Sequence, residues 1–567
     1  MIKLFSRPLV VAALVALTRG QDPAPAAASG AGAATTPRLV VLCSVDQLAS
    51  WVFEEAQPHF TTEGGFQRLV RDGVTFTNCA YEHACTETGP GHATIGTGAP
   101  ARLHGIVRNS WYSAEVGKTV YCVGVAAEAL PELPEGRNRG PGRLLAPTLS
   151  QTMRQQLAGC RTASVSWKDR SAILMVGAEA DVAAWIETST GHLVTNRTWC
   201  REVPPWIARF NADRVLDGLF GSVWQPIGPE SAYAGLVDDR PYEQAHGNGT
   251  GAHTLPQKIT GGTDAAGKKF YAELYASPFG NEVVRRAAEA CIDGMQLGAD
   301  EVPDLLAVSF SSTDLVGHYF GPDSVEARDT LLRLDRELER FLAFLDQKVG
   351  AGRYAFFLTA DHGVGPTPEW AKSRGIDAGR GLLQSQARAA AERDLVARFG
   401  PAPAGHRYCT HVGEWALVLD RAAFTGDDAE ARFAEATRIA AAAATHVAGI
   451  EAAYPTTEIL EQDPGDDPIR RSLRAALHPE RAGDVQLVAK PYWLDGPTPA
   501  SHGTPHPYDR EVVAFAMGTG LPTGTRISEP VTPGIGVVLF ARLLGISPPA
   551  SAQDRLPAAL LQDKQDR

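Results

Sequence analysis

The sequence predicts an α/β fold in which a mostly parallel central sheet is sandwiched between layers of helices. Three short apolar runs, each followed directly by polar residues, support this prediction: 39–45 (LVVLCSV), 305–310 (LLAVSF) and 354–358 (YAFFL). Continuous apolar runs of this length are typical of strands buried on both faces of a parallel sheet. Residues 323–349, between the second and third runs, have leucines at helical spacing, which predicts a right-handed strand–helix–strand unit.

The N-terminal residues differ from the rest of the chain. Residues 1–20 combine the basic Lys3 and Arg7 with a short apolar run and a small-residue cleavage site after Gly20, which is the pattern of a secretory signal peptide. The apolar run is shorter than the roughly 20 residues that span a bilayer. Residues 21–37 form a Pro/Ala/Gly linker that cannot build a core. We therefore expect an exported, periplasmic protein with no membrane span after the signal is removed.

The remaining chain is predicted to be one large domain, residues 38–545, with two insertions. Residues 201–262 are rich in Gly, Pro, Trp and Tyr and have little periodicity, so we expect an irregular cap near the functional site. Residues 366–492 contain helical patterns and are predicted to form a smaller subdomain. Residues 546–567 are a polar C-terminal tail.

Composition and charge restrict the classes of function. Apolar residues make up 44% of the chain, charged residues make up 21%, and the net charge is −12. A protein that wraps nucleic acid needs a basic face, so no nucleic-acid partner is expected. A small anionic substrate stays possible, because metal ions and basic side chains can dominate the local field. Eight cysteines include no CxxC pair, which argues against thiolate metal sites; disulfide pairing is left open, and Cys43 is expected in the core.

A carboxylate follows each of the three predicted strands, and an imidazole accompanies it after the second and the third strand. Ligands of open α/β sheets gather at the carboxyl ends of the strands, so these side chains should meet at one edge. A further histidine lies in the SHGTPH loop near the C-terminus. A single Asp after a strand is more often a turn or capping residue, but six oxygen and nitrogen ligands together suit two zinc ions in catalytic sites. The six are Asp46, Asp314, His318, Asp361, His362 and His502.

A hydroxyl group, that of Thr88, precedes Gly-Pro-Gly-His in a tight turn that is predicted to begin a helix. The free N–H groups and positive dipole end of a helix N-terminus favour an anion. A threonine there can be an activated nucleophile if a metal lowers its pKa, although taken alone it is more often a simple N-cap.

Two cations and an amide could bind the same anion. Lys168 and Arg170 lie in VSWKDRSAI, at the predicted end of a strand. An i, i+2 pair on an extended chain points to one face, and beside a metal site these two side chains would bind phosphoryl oxygens. Asn109, in HGIVRNSWY, could donate an amide hydrogen bond to the same group.

These motifs, in this order, resemble the alkaline phosphatase superfamily, and within it the PafA-like branch of bacterial alkaline phosphatases, which uses a threonine nucleophile. The resemblance extends from residue 38 to about 545 and rests on SVDQL, TGPGH, HGIVRNSWY, SWKDR, STDLVGH, TADHG and SHGTPHPYD. It implies two zinc ions. One would be held by Asp314, His318 and His502, and the other by Asp46, Asp361 and His362, with Thr88 as its reacting ligand.

The same resemblance implies the substrate contacts and the reaction. Asn109, Lys168 and Arg170 would contact the phosphate, whereas His92 would be a structural residue of the helix start. The chain is then expected to be a monomeric hydrolase of small phosphate monoesters. It would release inorganic phosphate through a covalent phosphothreonine formed on Thr88.

The closest alternative is a phosphodiesterase or nucleotide pyrophosphatase of the same superfamily. That branch shares the two-zinc residues, the threonine and the asparagine, but it lacks the Lys-x-Arg pair. Sulfatases are disfavoured because the modified Cys or Ser followed by xPxR is missing. Four aromatic residues could form a pocket for a second ester group, although large aromatics more often only pack: Trp111, Tyr112, Trp224 and Tyr233. A non-catalytic phosphate or metal binder and a structural protein are the remaining readings of the sequence.

Overall fold

The computed structural model describes residues 36–244 and 253–561. The predicted signal peptide lies outside these residues, as does the linker up to residue 35, so both stay predictions. Within the described parts of the chain, no helix is both long enough and apolar enough to cross a membrane.

A nine-stranded sheet forms the centre of the fold. In spatial order its strands are β19, β2, β18, β11, β1, β10, β5, β6 and β7, and the five consecutive strands from β11 to β6 are all mutually parallel. The strands of the protein, in chain order, are β1 (Leu39–Val45), β2 (Gly73–Phe76), β3 (Ser110–Ser113), β4 (Lys118–Tyr121), β5 (Thr162–Ser166), β6 (Val182–Glu187), β7 (His192–Val194), β8 (Val223–Trp224), β9 (Gln257–Lys258), β10 (Asp304–Phe310), β11 (Tyr354–Thr359), β12 (Gly379–Gly381), β13 (Cys409–Gly413), β14 (Ala416–Leu419), β15 (Ile450–Pro455), β16 (Val485–Ala489), β17 (Trp493–Asp495), β18 (Ala514–Gly518) and β19 (Thr525–Ile527).

Helices flank this sheet and also lie in the segments predicted as a cap and as a subdomain. In chain order they are α1 (Ser50–Ala56), α2 (Gly65–Asp72), α3 (Thr88–Thr97), α4 (Ala101–His104), α5 (Leu149–Gln156), α6 (Asp169–Val176), α7 (Pro205–Ala212), α8 (Lys268–Tyr275), α9 (Phe279–Met295), α10 (Ser312–Phe320), α11 (Val325–Leu345), α12 (Pro368–Ser373), α13 (Leu383–Phe399), α14 (Ala429–Ala444), α15 (Thr456–Glu461), α16 (Pro468–Ala476), α17 (Pro507–Arg510) and α18 (Ile535–Leu544).

The predicted α/β fold is confirmed. β1 has the expected bounds, β10 begins one residue earlier than expected, and β11 ends one residue later. Every residue of these three strands is buried, because neighbouring strands cover both edges and other elements cover both faces. The helical pattern between β10 and β11 is helix α11. Cys43 lies in the core, and the eight cysteines, all within the described residues, are free thiols.

A second, smaller sheet lies within residues 366–492. It has four antiparallel strands in the order β13, β14, β16, β15, and it shares a separate hydrophobic cluster with α13 and α14. A short parallel pair, β12 with β17, joins the two ends of this segment. The division of the chain into a core domain, a cap and an inserted subdomain remains our prediction.

The segment predicted as a cap is attached to helix α11 through one buried carboxylate, that of Asp329. The indole Nε1 of Trp224 donates to Oδ2 at 2.8 Å, and the Tyr233 hydroxyl donates to Oδ1 at 2.6 Å. The Ile227 amide and the Arg333 guanidinium also donate to this carboxylate. Trp224 and Tyr233 therefore pack the segment against the core, and the alternative in which they form part of a substrate pocket loses two of its four aromatic residues.

Replacing Asp329 should destabilise the protein without touching the chemistry. Asp329→Ala would remove the acceptor that four hydrogen bonds share, so we expect the free energy of unfolding to fall by about 3–5 kcal/mol. The urea midpoint of the full chain measures this loss. The matched control is Asp427→Ala, because Asp427 is exposed; equal midpoints for the two variants would contradict the anchoring role of Asp329.

Candidate active site

The six predicted metal ligands meet at the carboxyl edge of the central sheet. Asp46 directly follows β1, and Asp361 with His362 follows β11. Asp314 and His318 lie one turn apart on α10, the helix that follows β10. His502 arrives from the distant loop before α17. Because β1 lies between β10 and β11 in the sheet, all three strand ends are neighbours.

The side chains form two adjoining groups. In the first group, His318 Nε2 lies 3.2 Å and His502 Nε2 lies 3.6 Å from Asp314 Oδ1. In the second group, His362 Nε2 lies 3.4 Å from Asp46 Oδ1 and 3.6 Å from Asp361 Oδ2. The His362 ring stacks on the His502 ring with centroids 3.6 Å apart, and His362 also lies within reach of Asp314 and His502. The two groups therefore share one continuous site.

Each of the three histidines is oriented by a backbone carbonyl. Nδ1 of His318 donates to Ala500 O at 2.9 Å, Nδ1 of His362 donates to Gly363 O at 3.0 Å, and Nδ1 of His502 donates to Thr86 O at 2.7 Å. A proton fixed on Nδ1 leaves Nε2 as the ligand atom. In all three rings Nε2 faces the carboxylates.

Unpaired polar atoms in this site fit a bound metal. Both carboxylate oxygens of Asp46, Oδ2 of Asp361 and Nε2 of His362 are buried and make no hydrogen bond of ordinary geometry. The groups nearest to them, such as Lys168 beside Asp46 and His92 beside Asp361, contact them only as ion-pair partners. Leaving such atoms unpaired in a protein interior is costly unless something compensates for them. Carboxylate oxygen and imidazole nitrogen are also suitable donors for a divalent cation. The residues present therefore fit metal binding.

The pKa shifts of the side chains in this site also indicate that the site needs positive charge. Burial and the nearby Asp361 carboxylate raise the pKa of Asp46. Burial also opposes ionisation of Asp314, but Lys168 and His318 hold its pKa well below the usual range. For His362, burial alone would lower the pKa, yet Asp361 and Asp46 raise it to about 9. Carboxylates packed this closely need cations between them.

Thr88 stands at the first residue of α3, beside the two groups of ligands, as the sequence predicts for a helix start. Its hydroxyl accepts hydrogen bonds from Lys168 Nζ and Arg170 Nη2, both at 3.2 Å. Lys168 Nζ also lies 2.6 Å from Asp46 Oδ2 and 2.7 Å from Asp314 Oδ2. The ammonium group therefore connects the hydroxyl with a carboxylate from each group.

The reason given above for the shared direction of Lys168 and Arg170 was wrong. Strand β5 ends at Ser166, and helix α6 begins at Asp169, so the two residues are not an extended i, i+2 pair. Lys168 is the N-cap residue of α6, and Arg170 lies in its first turn. Both still converge on Thr88, because the N-terminus of α6 lies beside the N-terminus of α3.

Asn109 is held next to Thr88 by Glu87. The Asn109 backbone N–H donates to Glu87 Oε2 at 2.8 Å, and Arg108 Nη1 donates to Glu87 Oε1 at 2.9 Å. The side-chain oxygen of Asn109 accepts from the Gly89 amide at 2.7 Å, so its NH₂ group is the part that can donate to a substrate. Sequence reasoning missed Glu87, although its position between Thr86 and Thr88, directly before the helix start, was a signal.

Gln47 is a second residue that sequence reasoning missed. Its side-chain amide donates to Asp314 Oδ1 at 2.8 Å, and its backbone N–H donates to Asp361 Oδ1 at 3.1 Å, so it orients one carboxylate of each group. Gln47 is buried and has a left-handed φ of 69°, which is uncommon for a residue with a side chain. Only its place after Asp46 in SVDQL pointed to it.

His92 and Gly91, in the TGPGH turn, hold helix α3 against the end of β11. His92 is fully buried, and its Nδ1 lies 2.8 Å from Thr88 O and 3.2 Å from Asp361 Oδ2. A Cβ at Gly91 would overlap the backbone of Asp361, so α3 can approach the end of β11 only with glycine there. Both residues therefore fix the position of the threonine relative to the second group of ligands.

Trp111 and Tyr112 lie on β3, away from the two ligand groups. Trp111 is buried between the guanidinium groups of Arg143 and Arg481, and the Tyr112 ring stacks on His411. These contacts are those of packing residues.

Comparison with known proteins places this architecture among phosphoester hydrolases. Residues 40–506 match the family model described as type I phosphodiesterase / nucleotide pyrophosphatase. The chain is 29% identical to the alkaline phosphatase PhoV of Synechococcus elongatus, over 93% of each chain. It is 29% identical to the alkaline phosphatase PafA of Elizabethkingia meningoseptica, over 86% of this chain and 88% of that protein. A crystal structure of wild-type PafA superposes with a TM-score of 0.85 at 27% identity, over 93% of this chain and 99% of that one. The resemblance stated from the motifs is thereby confirmed.

The contact between Gln47 and α10 can be tested through Gly317. A Cβ at Gly317 would overlap Gln47 Oε1, so Gly317→Ala should displace the amide that orients Asp314. Loss of such a partner typically weakens metal affinity by about 10–100-fold, which a titration of Zn²⁺ against a competing chelator measures. Gly218→Ala is the control, because a Cβ at Gly218 meets no atom within 4 Å. Equal Zn²⁺ affinities of the two variants would refute the role of Gln47.

Proposed function

The chain belongs to the type I phosphodiesterase / nucleotide pyrophosphatase family, and on that premise we propose that it is a phosphatase that hydrolyses small phosphate monoesters at a two-zinc site. Its relatives PhoV and PafA are named alkaline phosphatases. The observation that carries the proposal is the position of the Thr88 hydroxyl. It lies at a helix N-terminus, within 3.2 Å of both Lys168 and Arg170, and beside two groups of metal-binding side chains.

The residues assigned to each metal follow the two groups. Asp314, His318 and His502 would hold one zinc ion, and Asp46, Asp361 and His362 would hold the other, with Thr88 as its reacting ligand. Bound there, the two ions supply Lewis-acid charge for the attacking oxygen and for the leaving oxygen. The absence of any thiolate among these ligands supports catalytic rather than structural zinc.

The chain positions its own nucleophile. Helix α3 holds Thr88 rigidly, because Gly91 packs against the Asp361 backbone and His92 lies against both Thr88 and Asp361. The hydroxyl attacks phosphorus, the ester oxygen leaves as an alcohol, and a phosphothreonine forms. Water then hydrolyses this intermediate, releases inorganic phosphate and restores the threonine.

Three side chains would bind the phosphoryl oxygens during this transfer. The transition state is expected to be loose, with charge spread over the equatorial oxygens. Arg170 is held for this purpose by the Tyr121 hydroxyl, 3.3 Å from its Nη1. Lys168 adds a second cation, and the Asn109 amide adds a neutral donor. A monoester dianion needs more positive charge than a diester monoanion, which is why the Lys-x-Arg pair favours the monoester.

Removing the hydroxyl of Thr88 should abolish turnover. Thr88→Ala deletes the nucleophile but none of the six carboxylate and imidazole ligands, so we expect kcat for p-nitrophenyl phosphate to fall by at least about 10³-fold while Zn²⁺ still binds. Thr88→Ser keeps a hydroxyl and should retain measurable turnover. Normal turnover in Thr88→Ala would sink the assignment of the nucleophile.

Removing Arg170 should cost the monoester more than the diester. The measurement is kcat/KM for p-nitrophenyl phosphate and bis-p-nitrophenyl phosphate, on zinc-loaded protein at alkaline pH. We expect Arg170→Ala to lower the monoester value about 10–100-fold more than the diester value, since a lost charged hydrogen bond costs roughly 1.5–3 kcal/mol.

The control for this variant is Arg139→Ala. Arg139 Nε donates to Asp169 at 2.6 Å, close to Arg170, but the donors to the Thr88 hydroxyl are Lys168 and Arg170 and not Arg139. For Arg139→Ala, the ratio of the monoester kcat/KM to the diester kcat/KM should stay near the wild-type ratio. If the wild-type protein itself prefers the diester, the chain is a phosphodiesterase, and the Lys-x-Arg pair needs another explanation.

A further inference from the structure

A cavity of about 250 Å³ opens beside the candidate active site. Its lining includes Asn109 and His502 from the site, Glu414 and Trp415 from the segment predicted as an inserted subdomain, and Trp493, which directly follows that segment. Pockets for drug-sized ligands usually measure roughly 300–1,000 Å³, so this cavity suits a smaller molecule. The inserted segment therefore contributes directly to the surroundings of the site.

The cavity lies on the side of the leaving group. In the proposed function, Asp314, His318 and His502 would hold the zinc ion that supplies charge for the leaving oxygen, whereas Asp46, Asp361 and His362 would hold the one beside the nucleophile. His502 is the one residue of these six that lines the cavity, and it belongs to the leaving-group side. The alcohol part of an ester bound at Thr88 would therefore extend into this space.

Glu414 lines the cavity from a strained, left-handed backbone conformation. Glu414 and Trp415 form the two-residue turn between β13 and β14, and both have left-handed φ angles, 52° and 61°. Such turns favour Asn and Gly, and a residue with a longer side chain in this region is strained. The turn is fixed by the Trp415 amide, which donates to Gln384 Oε1 at 2.7 Å, and by Trp415 O, which accepts from Leu487 N at 2.8 Å. Strain held this firmly is typical of a functional position.

The hydrogen-bonding groups of the cavity define the chemistry of its ligand. Trp493 lines the cavity, and its buried indole N–H has no partner. Asp509 is fully buried, and its Oδ1 has no partner, while its Oδ2 is used by Thr504. The residues that line the cavity therefore carry both hydrogen-bond donors and acceptors, among them the Gln384 amide and the Ser501 hydroxyl. A hydroxyl group can satisfy both kinds, whereas an ammonium group only donates.

We propose that this cavity is a leaving-group subsite that takes a polyhydroxylated alcohol, as in a sugar phosphate, and that Glu414 is its specificity-determining residue. The Glu414 carboxyl group, which also shares a hydrogen bond with Glu87, accepts from the hydroxyls of the alcohol. Trp415 and Trp493 provide apolar walls for its carbon skeleton. The proposal rests on the proposed phosphatase function. It makes the inserted segment the part of the chain that selects among phosphate monoesters.

The test compares esters that share a phosphate and a primary alcohol. Glucose 6-phosphate and propyl phosphate are hydrolysed by zinc-loaded wild-type protein, and we expect kcat/KM to be at least about tenfold higher for the sugar ester, the equivalent of one or two hydrogen bonds. Glu414→Gly removes the carboxylate and tolerates the left-handed turn, so the ratio of the two kcat/KM values should fall about tenfold. Asp239→Gly is the matched control, because Asp239 is exposed and also left-handed, with a φ of 64°; its ratio should stay at the wild-type value.

A binding measurement separates recognition from turnover. Calorimetric titration of zinc-loaded Thr88→Ala with the same two esters should show tighter binding of glucose 6-phosphate than of propyl phosphate. In the double variant that also carries Glu414→Gly, the two affinities should be equal. Equal affinities in Thr88→Ala, or a clear preference for phosphoethanolamine over glucose 6-phosphate, would overturn the subsite.

The outcomes also separate this proposal from the one on which it rests. If the wild-type protein hydrolyses propyl and p-nitrophenyl phosphate but treats the sugar ester no better than propyl phosphate, the subsite is wrong and the phosphatase function stands. If no monoester is hydrolysed, the phosphatase function is wrong and the subsite is overturned with it.

Discussion

The structure of this protein is organised around the repulsion among three buried carboxylates. Asp46, Asp361 and Asp314 stand at adjacent strand ends, and each is almost completely shielded from water. Such a cluster is stable only when positive charge lies within it. The protein's own contribution is Lys168, whose ammonium group contacts two of the three, together with the histidine rings. The sheet brings the charges together, and the chemistry of the site follows from the need to neutralise them.

Precise placement comes from backbone groups more than from side chains. Each of the three histidines beside the carboxylates is oriented by a carbonyl oxygen, and the backbone amide of Gln47 holds Asp361. The helix that carries Thr88 comes close to Asp361 because Gly91 has no side chain. Backbone groups are fixed by the sheet and helix ladders, so they position the ligands without the loss of side-chain freedom that long side chains would incur.

The inserted segment is built separately from this rigid edge of the central sheet. It has its own small sheet and hydrophobic cluster, yet the turn between β13 and β14 reaches the site of the central sheet. Variation in such a segment can change which alcohol is accepted while the metal-binding edge stays the same, since the two are built from separate stretches of the chain. Chemistry and selectivity would then be carried by different parts of the fold.

The sequence alone determined the buried parallel strands, the helix between β10 and β11, and the set of residues gathered at one edge. These features are local: a run of apolar residues forms a strand, and the polar residue that follows must lie at its end. Tertiary structure decided what depends on contacts between distant segments. Lys168 and Arg170 converge through a helix N-terminus and not through a strand, and Gln47 bridges the two groups of side chains from a left-handed conformation. Glu414 lines the same cavity as Glu87, although it lies about 330 residues further along the chain. No periodicity encodes such contacts, because they depend on which surfaces meet after the chain has folded.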